Sequence, residues 1–129
     1  MSKIVLDASA ILAYLLDETG AEAVAPILEA GEGIVSSVNY AEVVSKLTDY
    51  QMPLAAIQMA LDDLDLDIIT FDVQQAVVTG ELRAVSKPFG LSLGDRACLA
   101  LSYVLQLPVL TADHNWTLVP GSGDVRVIR

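Results

Sequence analysis

Short continuous apolar runs alternate along this chain with stretches whose apolar positions recur every three or four residues. Ile4, Val5 and Leu6 form the first run, which predicts a strand buried on both faces, as in a parallel sheet. Asp7 ends it. Ile11, Leu12, Leu15 and Leu16 then mark a helix over 8–16, broken by Gly20. A second helix is predicted over 21–30, closed by Gly31 and Gly33. Residues 34–36 read as a strand, and 39–51 as a helix with Val43, Val44 and Leu47 turned inward. Pro53 suits the first turn of a helix running to 64. Residues 68–71 predict a third strand, and Asp72 caps a helix running to 84. Residues 86–90 read as a loop. Ser92 opens a long helix to 106, which Pro108 ends. Residues 109–111 and 125–128 predict two more strands, the last after the Gly121-Ser122-Gly123 turn.

Strands alternating with helices predict a three-layer α/β/α architecture around a mostly parallel sheet of four to five strands. With 129 residues and no repeat, linker or low-complexity tract, the chain is read as a single domain, 1–129. A hydrophobic fraction of 53% supplies ample material for a core. No stretch reaches the ~18 uninterrupted apolar residues of a membrane span. Asp7 within the run 4–16, and Asp17-Glu18 after it, set that run apart from a signal peptide. The one cysteine, Cys98, excludes an internal disulfide and a CxxC metal knuckle, and its apolar neighbours predict a small buried side chain. The expected compartment is the cytoplasm.

In parallel α/β folds, ligands bind at the carboxyl ends of the strands. Asp7 follows the first predicted strand and Asp113 the fourth. Glu42 and Asp95 fall in the first turns of the helices opening at 39 and 92. Four carboxylates are therefore candidates for one edge of one sheet. Each also has a purely local reading. Asp7 suits a helix cap. Asn39-x-x-Glu42 and Ser92-x-x-Asp95 resemble capping boxes. Asp113 suits an Asx turn with Asn115. Gathered at one edge, four acids repel each other, and such a cluster is held by a cation. All-oxygen donors suit Mg²⁺ or Mn²⁺. No zinc, P-loop, dinucleotide or nucleophile-elbow motif is present. His114, the only histidine, reads as a supporting or surface residue rather than a proton shuttle. The acidic run 62–67 lacks the glycine and terminal glutamate of a calcium loop and reads as a solvated helix end.

Four blocks carry a resemblance. They are Val5-Leu6-Asp7-Ala8-Ser9-Ala10, Tyr40-Ala41-Glu42-Val43, Leu91-Ser92-Leu93-Gly94-Asp95-Arg96-Ala97-Cys98-Leu99-Ala100, and Leu110-Thr111-Ala112-Asp113 followed by Trp116. In order and spacing they resemble the PIN-domain family, and within it the VapC ribonuclease toxins of bacterial VapBC toxin–antitoxin systems. The resemblance spans residues 4–128. It implies a three-layer α/β/α fold and an endoribonuclease dependent on one or two Mg²⁺ or Mn²⁺ ions. The catalytic and metal-binding acids match Asp7, Glu42, Asp95 and Asp113, supported by hydroxyls matching Ser9 and Thr111. Some members carry a further acid where this chain has Asn115, a departure that bears on the number of ions. The resemblance also implies products with 5′-phosphate and 3′-hydroxyl ends, a homodimer, and inhibition by a VapB-type antitoxin whose basic segment reaches the acidic pocket.

Charge changes the picture of how RNA would be held. Seven basic residues against seventeen acidic ones give a net charge of −10, which excludes a module that grips nucleic acid by bulk charge. Lys46, Arg83, Lys87 and Arg96 are the candidates for local positive spots, and Arg96 alternatively pairs with a neighbouring carboxylate. Leu54, Ile57, Ala60 and Leu61 lie at helical spacing; core packing is their first reading and a dimer or antitoxin surface the second. Two other functions compete. Aspartyl-phosphate chemistry wants a second acid where Ser9 stands. A non-catalytic binding module keeps the fold without turnover, and metal affinity separates it from a nuclease.

Overall fold

The computed structural model describes residues 2–129. Its strands are β1 (Ile4–Leu6), β2 (Gly33–Ser36), β3 (Asp67–Ile69), β4 (Val109–Thr111) and β5 (Val125–Val127). They form one sheet in the order β3-β2-β1-β4-β5, with every neighbouring pair parallel. The expected sheet thus has five strands.

Side chains alternate across a strand, and each face meets its own helices. Ile4, Leu6, Val35 and Leu110 pack on one face with α1 (Ala8–Leu15), α2 (Ala21–Glu29), α3 (Ser37–Asp49) and α4 (Leu54–Asp62). Val5, Ile34 and Val109 pack on the other with α5 (Val73–Ser86) and α6 (Leu93–Leu105). Cys98 is fully buried there. The three layers follow.

Side-chain caps set three of the six α-helix starts. Asp72 accepts from the Gln75 N–H at 2.9 Å, and Ser92 accepts from the Asp95 N–H at 3.2 Å, as the sequence predicts. Two expectations are corrected. The cap of α3 is Ser36, whose hydroxyl accepts from the Val38 N–H at 3.2 Å, so α3 begins before Asn39. Pro53 is itself the cap of α4, with extended backbone, and the helix starts at Leu54. On α4, Ile57 and Leu61 are buried, as core packing requires, while Leu54 is exposed. Among the described residues, no helix is long and apolar enough to cross a membrane.

The chain steps from β1 outward to β2 and β3, then returns past β1 to lay down β4 and β5. The reversal falls between β1 and β4. At such a switch point the loops leaving two adjacent strands diverge and open a crevice at the strands' carboxyl ends.

Candidate active site

Asp7 leaves β1 at that crevice. It occupies the cap position of α1, yet its side chain accepts no hydrogen bond from the helix backbone, which removes the local capping explanation. Two hydroxyls hold it instead. Ser9 Oγ donates to Asp7 Oδ2 at 2.6 Å, and Thr111 Oγ1, from the end of β4, donates to the same oxygen at 3.1 Å. Both hydroxyls also accept from the β4 loop, Ser9 from the Ala112 N–H at 2.9 Å and Thr111 from the Asp113 N–H at 3.1 Å. The network fixes one carboxylate oxygen and ties the exits of β1 and β4 together. Asp7 is buried, and burial raises its pKa from the ordinary 3.8 to about 6. The Ser9 and Thr111 bonds oppose that rise, and the negative charges of Asp95 and Glu42 add to it.

Asp95 is the third residue of α6 and completes a reciprocal capping box, its Oδ2 accepting from the Ser92 N–H at 2.9 Å. The predicted local role is therefore real, and it leaves the other oxygen uncommitted to the box. Burial raises the Asp95 pKa, the Ser92 bonds lower it, and Asp113 raises it again. Asp113 follows β4 and makes the predicted Asx turn, its Oδ1 accepting from the Asn115 N–H at 2.9 Å. Glu42 lies in the second turn of α3 rather than the first, because the helix starts early. Partial burial raises its pKa, a bond from Asn39 lowers it, and Asp95 raises it. Asp95 and Glu42 thus act on Asp7, Asp95 on Glu42 and Asp113 on Asp95, linking acids from the β1 exit, α3, α6 and the β4 loop.

Sequence reasoning missed two residues of this cluster's frame. Asn39, read as a cap, is buried, and its side-chain amide donates to Glu42 Oε1 at 2.7 Å and to the Gly94 carbonyl at 3.0 Å. It joins α3 to α6 and aims Glu42. Gly94 lets Glu42 lie against α6. A Cβ there would sit 2.6 Å from Glu42 Cδ and 2.7 Å from Oε1, closer than side chains pack. A glycine in the first turn of an otherwise strong helix was the available signal.

The basic candidates fare differently. Arg96 is buried and neither forms a surface spot nor pairs with a carboxylate. Its Nη1 donates to the Thr79 carbonyl on α5 at 3.0 Å, and among the described residues no acid lies within 4.0 Å of it. Packing of α5 over α6 dictates that direction. Lys46 sits over the Tyr50 ring, 5.8 Å from its centroid. Lys87 opens the short 3₁₀ turn Lys87–Phe89, where the Phe89 carbonyl accepts from Asn115 Nδ2 at 3.4 Å. His114 is exposed and bonds the Arg129 carbonyl, outside the carboxylates.

The donor set is hard oxygen, which suits Mg²⁺ or Mn²⁺. Among the described residues, no three of these side chains are gathered at ligating distance as they stand. Mutual repulsion favours that open spacing, and Glu42, Asp95 and Asp113 retain solvent access that lets them move. A second cleft, lined by Tyr103, Gln106, Pro108 and Asp124, opens where β4 and β5 begin, at the other end of the sheet from the acids.

An acid-lined switch point on an all-parallel, three-layer sheet defines a class of α/β proteins whose ligand site lies where two strand exits diverge. Within that class the chain belongs to the PIN domain family, whose pattern it matches over residues 4–121. Comparison with curated proteins finds no match. Among solved structures, the chain is similar to one from a toxin–antitoxin complex of Klebsiella pneumoniae, at 21% identity and TM-score 0.74, with 98% of each chain covered. It is similar to one from DNA-bound VapBC of Salmonella typhimurium, at 19% identity and TM-score 0.69, with 100% of each covered. A third is from VapBC2 of Rickettsia felis bound to a promoter DNA fragment, at 17% identity and TM-score 0.72, with 96% and 97% covered. At these identities the likeness is one of fold.

Proposed function

We propose that this chain is a Mg²⁺- or Mn²⁺-dependent endoribonuclease of the VapC type, acting in the cytoplasm as a single domain and held inactive by a VapB-type antitoxin. One observation supports the reading: Asp7, buried where β1 ends at the switch point, is held by two hydroxyls instead of capping its helix, and the charges of Asp95 and Glu42 are felt there. An uncompensated acid cluster costs stability, so its retention argues for a cationic ligand.

Asp7 and Asp95 would hold the ion, with Asp113 and Glu42 as further ligands or through water. A divalent ion there supplies Lewis acidity towards the phosphodiester and lowers the pKa of water near neutrality. Ser9 and Thr111 keep Asp7 in one orientation, so its ligating geometry is set before the ion arrives. Asn39 does the same for Glu42. An acid of the cluster that carries no ion orients the attacking water and takes up its proton.

The net charge of −10 means that RNA is not drawn in by bulk charge. Ions at the cluster would offset its local field, and Lys87, in the turn whose Phe89 carbonyl accepts from Asn115, is an exposed basic side chain argued for contact with the strand. The acidity also suits an inhibitor with a basic segment, an Arg pairing with the carboxylates in place of metal. A homodimer would align two such edges.

RNA cleavage by the purified chain, freed of any bound partner, tests the reading. Cutting with Mn²⁺, none with EDTA, and none in Asp7→Asn or Asp95→Asn is the expected result. Absence of cutting together with absence of Mn²⁺ binding by calorimetry overturns it.

A further inference from the structure

Among the large apolar side chains that the fold leaves exposed, Val73 is the most exposed, at 79%, and Val77 and Val85 share its helix, α5. The same helix turns Gln75, Thr79 and Ser86 inward beside Leu82. Helical spacing sets the two groups apart. Val73, Val77, Gly80 and Ala84 follow one another at i, i+4, i+7 and i+11, which is a single stripe, and all four are exposed. The buried residues lie on the opposite side of the helix. α4 also exposes Leu54 and Met59, but at five residues' separation they fall on different sides of it.

Gly80 sharpens the pattern. It lies mid-helix, where glycine costs about 1 kcal/mol against alanine. Nothing lies within 4 Å of the place its Cβ would take, so packing inside the chain does not ask for it. A glycine there lets another backbone approach closely.

Charge says what covers the stripe. The chain carries −10, yet between 68 and 94 Asp72 and Glu81 are matched by Arg83 and Lys87, so the net charge lies elsewhere. A basic partner finds no excess of acid here. Two copies of so acidic a chain repel each other, least across such a neutral face. The order of the charges is also self-complementary. Asp72 stands at the start of α5, and Arg83 and Lys87 at its end. Two α5 helices laid antiparallel therefore put acid beside base at both ends, together with the opposite ends of their dipoles. Position links the stripe to the acids. Just before α5, the Phe71 N–H donates to Ser37 Oγ, next to the end of β2, at 3.1 Å. Just after it, the Phe89 carbonyl accepts from Asn115 Nδ2, beyond β4, at 3.4 Å. Both ends of the helix are fastened beside the carboxyl ends of strands.

We propose that the chain pairs with a second copy of itself through α5, antiparallel, about a two-fold axis between Val77 and Gly80, with Val77 of each copy seated over Gly80 of the other. This names the surface of the homodimer in the preceding reading. It rests on that reading for nothing in the nuclease chemistry.

Light scattering on the purified full chain, freed of any partner and in EDTA, tests it. At micromolar concentration the parent is expected to have the mass of a dimer, and Val77→Arg that of a monomer. Met59→Arg, comparably exposed on α4, should stay dimeric. Should Val77→Arg not fold, Val77→Cys replaces it. Cys98 is buried, so a short bismaleimide should join two copies through the new thiol, and Met59→Cys should not be joined. A monomeric parent overturns the proposal and leaves the stripe to a different occupant. A dimer that Val77→Arg leaves intact, or that Met59→Arg also splits, overturns it as well, as does cross-linking at 59 equal to that at 77. Mass is read without metal or RNA. A dimer that cuts no RNA therefore counts against the nuclease alone, and a monomer that cuts it counts against the pairing alone.

Discussion

The two faces of the sheet are packed by different means. On the α1–α4 face the buried side chains are almost entirely apolar, with Leu6, Ile11, Val24, Leu47 and Ile57 each at or near zero exposure. On the other face α6 adds Arg96 and Ser102 to its buried apolar side chains, and α5 buries polar side chains beside Leu82. Gln75, Thr79 and Ser86 point into the seam with α6, each leaving one side-chain oxygen without a partner, while Val73 and Val77 stand 79% and 57% exposed. The first face is built for stability. The second accepts polar groups in the layer that carries Asp95 and Arg96.

The sharpest way to break that contrast is to cut into the apolar face. Leu47→Ala should cost about 3 kcal/mol in urea unfolding, with cleavage per folded molecule unchanged. A comparable effect should appear at the crevice as a pH dependence. Asp7 has a folded-state pKa of about 6 against an ordinary 3.8, so the folded state binds the proton more tightly. In EDTA, stability should therefore be greatest below pH 4 as far as Asp7 contributes, and fall by on the order of 3 kcal/mol as pH rises through 6. Asp7→Asn should flatten that slope. A slope unchanged in the variant would mean the burial of Asp7 is not what the protein feels.

Smaller effects probe the second face. Gly94→Ala should push the Glu42 carboxylate off α6 and lower cleavage about tenfold, equivalent to about 1.4 kcal/mol, while the helix itself gains propensity. Activity at the parent level would show that Glu42 needs no such support. The smallest change expected is a gain. Thr79→Val removes a buried hydroxyl oxygen without a partner and should stabilise by up to about 1 kcal/mol. A loss of stability there would instead make the seam's polar groups part of a satisfied network.

Much of this was legible in the residues. The apolar run Ile4-Val5-Leu6 and the β-rich Val109-Leu110-Thr111 gave β1 and β4 their places, and Asp7 and Asp113 stand just beyond their carboxyl ends. Elsewhere local chemistry had two consistent solutions. Asn39 and Glu42 have the spacing of a capping box, but Ser36 lies three residues earlier and takes the cap, which frees Asn39 for its bridge. β3 begins at Asp67, before its apolar pattern, because Asp67 pairs in register with Ile34. Arg96 could not be oriented from its own helix. Its side chain turns to α5, whose buried face offers the Thr79 carbonyl.

The bond from Thr111 to Asp7 spans 104 residues, and β1 acquires its β4 neighbour only when that distance has been closed. Such pairings form late, since loop closure precedes the contacts that reward it. Synthesis adds its own interval. At about 5–20 residues per second, roughly 5–20 s separate the emergence of Asp7 from that of Thr111. Through most of that time the growing chain carries Asp7 and Ser9 but not yet Asp95, and until its end it lacks Thr111 and Asp113. The crevice between β1 and β4 is thus one of the last parts of these residues to assemble.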